Sequence, residues 1–234
     1  MKKIPVLLGL LFLSLPAFSY QTEKTLKLPA EGIHLLSVDA GAGSLKIEGV
    51  EGLTSIEVTA EISVHGVADR HINDFLDEHL RFSLEKSGEE AVLKGYFHFS
   101  GPHLFFDDGK VDLTVRMPKA MDLDVDDGSG DLSVKNVRGE VSIDDGSGDL
   151  TVSNIEGDLR IDDGSGELEA RNVTGNVRID DGSGSLTVVG VGGTVTVDDG
   201  SGGIYIEDVA KDVVLESTGS GSVRTNNVRG RIIR

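Results

Sequence analysis

The chain has no cysteine and no tryptophan, and only three tyrosines and five prolines among its 234 residues. Without cysteine it cannot use disulfides, even in an oxidising compartment. Aromatics make up 5% of the residues and apolar types 38%. That is too little for a large globular core, so a thin interior of small aliphatics is expected. Basic residues are scarce as well: 22 Lys and Arg stand against 40 Asp and Glu. So acidic a body is repelled by nucleic acid and by anionic membrane surfaces, which excludes DNA or RNA as a partner.

Long apolar runs are lacking beyond the first, Ile4 to Leu15. At about a dozen residues it is too short to span a bilayer, which takes roughly 20. Lys2 and Lys3 precede this run, and the small residues Ala17 and Ser19 follow it. The pattern is that of a secretory signal over residues 1–19, cleaved after Ser19. No cysteine follows, so a lipoprotein anchor is excluded. Removing Lys2 and Lys3 leaves 20 basic against 40 acidic residues, a mature charge of −20. No transmembrane segment is expected in the mature chain, which reads as soluble and exported, to the periplasm, the medium or the cell surface.

What the chain has in abundance is glycine, 31 residues, and repetition. The pentad Asp-Asp-Gly-Ser-Gly starts at Asp126, Asp144, Asp162, Asp180 and Asp198, eighteen residues apart each time. A sixth, degenerate copy with one inserted residue runs Ser217-Thr218-Gly219-Ser220-Gly221. Within the unit from Val141 to Asp158, apolar residues alternate: Val141 and Ile143, then Leu150 and Val152. Alternation with period two predicts strands, here separated by the corners Asp-Gly-Ser-Gly and Ile-Glu-Gly. One such coil cannot bury its own aliphatics. Stacking coils in register about 4.8 Å apart builds a continuous core. Asn136, Asn154 and Asn172, with Asn227 in the last copy, are expected to form a hydrogen-bonded ladder at one corner.

The expected fold is therefore all-β, a parallel solenoid with 18-residue coils over 123–234. Residues 20–122 read as an earlier coil plus a β-rich cap with one short helix. Val38 to Gly52 aligns without gaps to Ile143 to Gly157, and marks that first coil. Ser55 to Val64, Ala91 to Phe99 and Val111 to Met117 read as further strands. Asp69 to Leu80 reads as a helix, with Ile72, Phe75, Leu76 and Leu80 at helical spacing. Six of the eight Phe fall between Leu53 and Ala120.

A Gly-x-Gly-x-Leu-x-Ile coil near the mature start, an interrupted β region ending in Val115-Arg116-Met117-Pro118, and tandem Asp-Gly-Ser-Gly-Asp-Leu-x-Val coils together resemble the DUF4097 family. Its members are labelled adhesins of the bacterial envelope. The resemblance covers nearly all of the mature chain and implies a right-handed parallel β-solenoid. It brings no catalytic residues.

Chemically, the Asp pairs invite most thought: Asp126/Asp127, Asp144/Asp145, Asp162/Asp163, Asp180/Asp181 and Asp198/Asp199. Stacked carboxylates repel, and calcium would relieve them. The nine-residue half-period is similar to the calcium β-roll repeat, but placing Leu150 at the apolar position puts Gly148 where the ligand Asp is needed. The plainer expectation is that one Asp of each pair accepts corner N–H groups while the other faces solvent. No cofactor is called for, calcium being the weak possibility.

The Gly-Ser-Gly corners lack the helix and lysine of a phosphate loop. The histidines (34, 65, 71, 79, 98 and 103) show no zinc spacing. Every coil is alike, with no elbow motif for a nucleophile and no distinct groove of carboxylates for a carbohydrate-active enzyme. Arg224, Arg229, Arg231 and Arg234 make the last coil basic. They guard an open strand edge or dock against an acidic surface, such as another copy's Asp columns. The sequence thus points to a non-enzymatic, adhesin-like or structural binding module of the envelope, with an unknown protein or glycan partner. A calcium-stabilised β-roll and a carbohydrate-active enzyme are the alternatives.

Overall fold

The computed structural model describes residues 19–99 and 108–234. Of the expected secretory signal, all but Ser19 lies outside these residues, as do His103, Phe105 and Phe106. The described strands form two ten-stranded sheets, packed through the alternating aliphatics that the sequence pattern anticipates.

The regular part begins with β8 (Asp122–Ser129), β9 (Leu132–Val137), β10 (Val141–Asp145), β11 (Leu150–Ile155) and β12 (Leu159–Asp163). It continues through β13 (Gly166–Val173), β14 (Val177–Asp181), β15 (Gly184–Val191), β16 (Val195–Asp199) and β17 (Gly202–Val209). It ends with β18 (Val213–Thr218), β19 (Val223–Val228) and β20 (Ile232–Ile233). Even-numbered strands build one sheet and odd-numbered strands the other, all parallel and, as far as β17, in eighteen-residue register: Val141 meets Leu159, and Leu159 meets Val177. Leu132, Leu150 and Leu168 stack likewise in the other sheet. These side chains are all at most 2% exposed. Each adds on the order of 1.5–3 kcal/mol of apolar burial, so stability accumulates coil by coil rather than in one centre. The inserted residue of the sixth copy produces a register shift opposite Val197 and Asp198.

The start of the chain is threaded differently. Its elements are β1 (Ser19–Pro29), β2 (Leu35–Ala42), β3 (Leu45–Val50), β4 (Ser55–His65), α1 (Ile72–His79), β5 (Leu80–Ser87), β6 (Glu90–Phe97) and β7 (Asp108–Pro118). Strands β2 and β3 form the coil expected from Val38 to Gly52. On one side they pair with β8 and β9, and on the other with β6 and β7, all parallel. The stretches Ala91 to Phe99 and Val111 to Met117, which the sequence suggests as cap strands, are therefore a solenoid coil. The chain lays β2–β3 down first and later adds one coil below it and the rest above. Only β1, β4 and β5 are antiparallel cap strands. Helix α1 buries Ile72 and Leu76, one turn apart, against the core. Phe75 packs beside Phe97 and Phe99, with ring centroids 5.8 and 6.1 Å away.

Candidate functional site

Successive strand residues point to opposite faces, and this separates the members of every Asp pair. Asp126, Asp144, Asp162, Asp180 and Asp198 lie on the outer face of the even sheet. Asp127, Asp145, Asp163, Asp181 and Asp199 point inward and are each 1% exposed. The two carboxylates of a pair consequently do not converge on one point, as shared chelation of an ion would need. Two separate columns result, one wet and one dry.

The inner column stands in register through five coils. It ends against Ala40 on one side and Thr218 on the other. Asp145 and Asp163 each accept the N–H of the serine two residues on, at 3.2 and 3.1 Å, which fixes the corner as an Asx turn. Their second oxygens are buried without a hydrogen-bond partner, and beside Asp127, Asp181 and Asp199 the N–H groups of Gly128, Ser183 and Ser201 hold the carboxyls down in part. Two charges about 4.8 Å apart repel by about 3–4 kcal/mol at an effective dielectric of about 20, so five ionised neighbours are mutually incompatible. Burial, reinforced by the carboxylate of Asp145, pushes Asp127 up to about 7. Asp145 and Asp181 rise to about 6, first through burial and then through neighbouring carboxylates of the column. Burial is also the leading cause that raises Asp163 and Asp199.

The outer column continues onto β2, where Asp39 aligns with Asp126. Beside it runs a second outward column, Asp124, Ser142, Arg160 and Arg178. With Asp122, Glu140, Asp158 and Asn176 from the Ile-Glu-Gly corners, these residues line a shallow groove of about 530 Å³.

Sequence reasoning missed how many acids serve the stacking itself. Asp122 Oδ1 accepts the N–H of Glu140 at 2.8 Å, and Asp158 Oδ1 that of Asn176 at 2.7 Å. Asp212 Oδ1 takes the N–H of Arg231 at 2.8 Å, while Arg231 Nη2 reaches Asp212 Oδ2 at 2.7 Å. Each of these acids caps the coil that follows it. The recurrence of Asp or Asn just before the apolar start of β8, β12, β14 and β18 was the available signal.

At the next corner the expected asparagine ladder is present for Asn136, Asn154 and Asn172, whereas Asn227 donates to Asp208 instead. Asn154 Nδ2 donates to Asn136 Oδ1, and Asn172 Nδ2 to Asn154 Oδ1, both at 3.0 Å. All three residues, with Asp208 and Asn227, hold a positive φ of 48–62°. Asparagine tolerates that left-handed conformation better than other side chains do. Gly190 interrupts the ladder at the same place in its coil.

Among the described residues no group of three or more His, Cys, Asp or Glu is arranged to hold a metal ion, and no helix is long and apolar enough to cross a membrane. His79 packs on Phe75 in the cap, with ring centroids 4.8 Å apart. Among the described residues β19 and β20 are the last strands of their sheets at the C-terminal end. Among the described residues Ile232 and Ile233 are the exposed large hydrophobic ones, at 46% and 40%.

The model of the family described as Toastrack DUF4097 matches residues 54–231. No curated protein matches the chain. A solved candidate cell adhesion protein from Clostridium sporogenes is 14% identical, covering 91% of this chain and 98% of that one with a TM-score of 0.35. A candidate lipid-binding protein from Parabacteroides distasonis is 11% identical over 92% and 97% of the two chains, with a TM-score of 0.36. A candidate adhesin from the same organism is 14% identical over 90% and 96%, with a TM-score of 0.31.

Proposed function

This chain belongs to the Toastrack DUF4097 family, and from that premise we propose that it acts as an exported, non-enzymatic, adhesin-like binding module of the cell envelope. The observation that carries this reading is the outer face of the even sheet. There Asp126, Asp144, Asp162, Asp180 and Asp198 recur at strand spacing, extended by Asp39. A periodic face of this kind suits a partner met at many points, such as a surface glycan or a basic protein. An enzyme instead gathers different groups at one place, and these coils repeat the same groups.

The test is saturable binding of the labelled mature chain to intact cells and isolated envelopes. A variant with all five outer aspartates changed to Asn should bind at least about tenfold more weakly, a loss of about 1.4 kcal/mol. Unchanged binding by that variant, or release of reducing sugars from envelope polysaccharides, would overturn the reading. Export itself is checked by intact mass, expected to begin at Tyr20.

Copies also associate through the C-terminal edge in this reading. The exposed Ile232 and Ile233 on the edge strand β20 support it, since apolar edges invite strand addition. Sedimentation of the wild type against Ile232→Lys, Ile233→Lys decides the point. A wild type that remains monomeric at high concentration rules it out.

A further inference from the structure

The interior of this solenoid holds very few polar side chains. Among the described residues they are Ser55 and the five aspartates of the inner column. Among the described residues no lysine, arginine or histidine is buried to balance those aspartates. The titratable groups near them are all acids: the other members of the column and the outward-facing Asp126, Asp144, Asp162, Asp180 and Asp198 of the same strands. The buried residues of the opposite sheet's repeats are aliphatic, Leu132, Leu150 and Leu168 among them. A buried carboxylate without a counter-charge is costly, whereas a neutral carboxylic acid with a hydrogen-bond partner is tolerated.

The same molecule shows that such a partner is within reach. In the asparagine ladder, side chains one coil apart meet at 3.0 Å, amide to carbonyl oxygen. A carboxylic acid has the shape of a carboxamide, with O–H in place of N–H. The inner aspartates share the eighteen-residue stacking of the asparagines, and their spare oxygens have no other partner.

We infer that Asp127, Asp145, Asp163, Asp181 and Asp199 form a proton-sharing ladder, in which a protonated carboxyl donates its O–H to a carboxyl oxygen one coil away and makes the fold more stable in acidic than in neutral surroundings. No bond other than O–H is made or broken, and the protons come from water. An unfolded aspartate titrates near 4, whereas Asp127 is pushed up to about 7 and Asp145 and Asp181 to about 6. Between those limits the native chain holds more protons than the unfolded one. Stability from the ladder is fully present below about pH 4, and is lost as pH rises through about 6 to 7. The direction is opposite to that of a surface carboxylate in an ion pair.

The experiment is thermal unfolding of the mature chain from pH 8 to pH 5.5, beside carboxyl carbon NMR titration. Tm should rise by about 5 °C or more on acidification, and at least two aspartate carboxyls should titrate above about pH 5.5. Changing the five inner aspartates to Asn should flatten the Tm profile. Changing the five outer ones to Asn should leave most of the rise, which separates the ladder from relief of general negative charge. Equal flattening by both variants, or a wild type in which every aspartate titrates below about pH 4.5, overturns the inference. The wild-type titration decides alone should the inner variant fail to fold.

Discussion

Arg178 reaches over an entire strand to grip Glu216. Its Nη2 lies 2.9 Å from Oε2 and its Nη1 3.2 Å from Oε1, although 38 residues separate the two in sequence. Strand β16 lies between their strands, β14 and β18. Glu216 is available for this because it is the extra residue of the sixth copy, between Leu215 and Ser217, where the pairing with Val197 and Asp198 shifts. A bulge re-aims a side chain, and here it turns an acid back along the outer face.

Deleting Glu216 should therefore be tolerated. It restores an unbroken eighteen-residue spacing between Asp199 and Thr218 while removing one exposed ion pair, which contributes little in water. Chemical denaturation should place the deletion within about 1 kcal/mol of the wild type. A loss of several kcal/mol would mean that the bulge is needed to seat the last coil.

The asparagine ladder yields a graded prediction. Asn154 holds φ 58°, and Gly190 takes φ 77° at the equivalent place. Asn154→Gly should lose only ladder hydrogen bonds, about 1 kcal/mol at this exposed corner. Asn154→Ala adds the strain of a left-handed alanine and should cost about 2 kcal/mol. Equilibrium unfolding of both variants checks the order.

Glycine at the other corner is required by closeness as well as by φ. A Cβ on Gly148, at φ 137°, would stand 1.9 Å from the carbonyl oxygen of Gly130, one coil away. The backbone ladder would have to open, so Gly148→Ala should cost about 3 kcal/mol or more. Gly52, at φ 72°, has nothing within 4 Å of its added Cβ, and Gly52→Ala should cost about 1 kcal/mol. Melting temperatures of the two variants, measured together, test the contrast.

Calcium should do little. Asp144 faces outward and Asp145 is buried, and the same holds in the other four pairs. Neither column gathers the several oxygens within one shell that calcium takes. Millimolar calcium should shift the unfolding midpoint by less than about 5 °C, as weak binding does by mass action. A tight site in calorimetry would refute this.

The burial of Asp145 was in principle legible. Period two in Val141-Ser142-Ile143-Asp144-Asp145 sends positions 141, 143 and 145 to one face, and only the habit of placing charges outside argues otherwise. The asparagine ladder and the eighteen-residue register were legible for the same reason, because each copy repeats its pairing partner. The coil of β6 and β7 was not. Ala91-Val92-Leu93-Lys94-Gly95 alternates like any strand but is not followed by the Asp-Gly-Ser-Gly corner. Its place beside β2 depends on the chain doubling back, which no local pattern records.

The register itself supports the strongest prediction. Removing one whole coil, Leu159 to Asn176, should leave a folded, shorter protein. Val141 and Ile143 now meet Leu159 and Ile161, which in turn meet Val177 and Ile179; after the deletion the outer pairs meet directly. Leu150 and Val152 likewise meet Leu186 and Val188 through Leu168 and Ala170. The inner and outer aspartate columns would close up without a gap, and Asn154 would face Gly190, so one ladder bond is lost. The cost is one repeat and one interface, a nearest-neighbour loss. Removing nine residues should be worse, because it sets the Asp-Gly-Ser-Gly corner against the Ile-Glu-Gly corner and breaks both capping patterns. Removing seventeen should be worst. A slip of one residue turns Ile143-type side chains outward and drives the outer aspartates into the core. Far-UV circular dichroism and the cooperativity of melting rank the three. If the eighteen-residue deletion unfolds as badly as the seventeen, the coils do not stack as independent repeats.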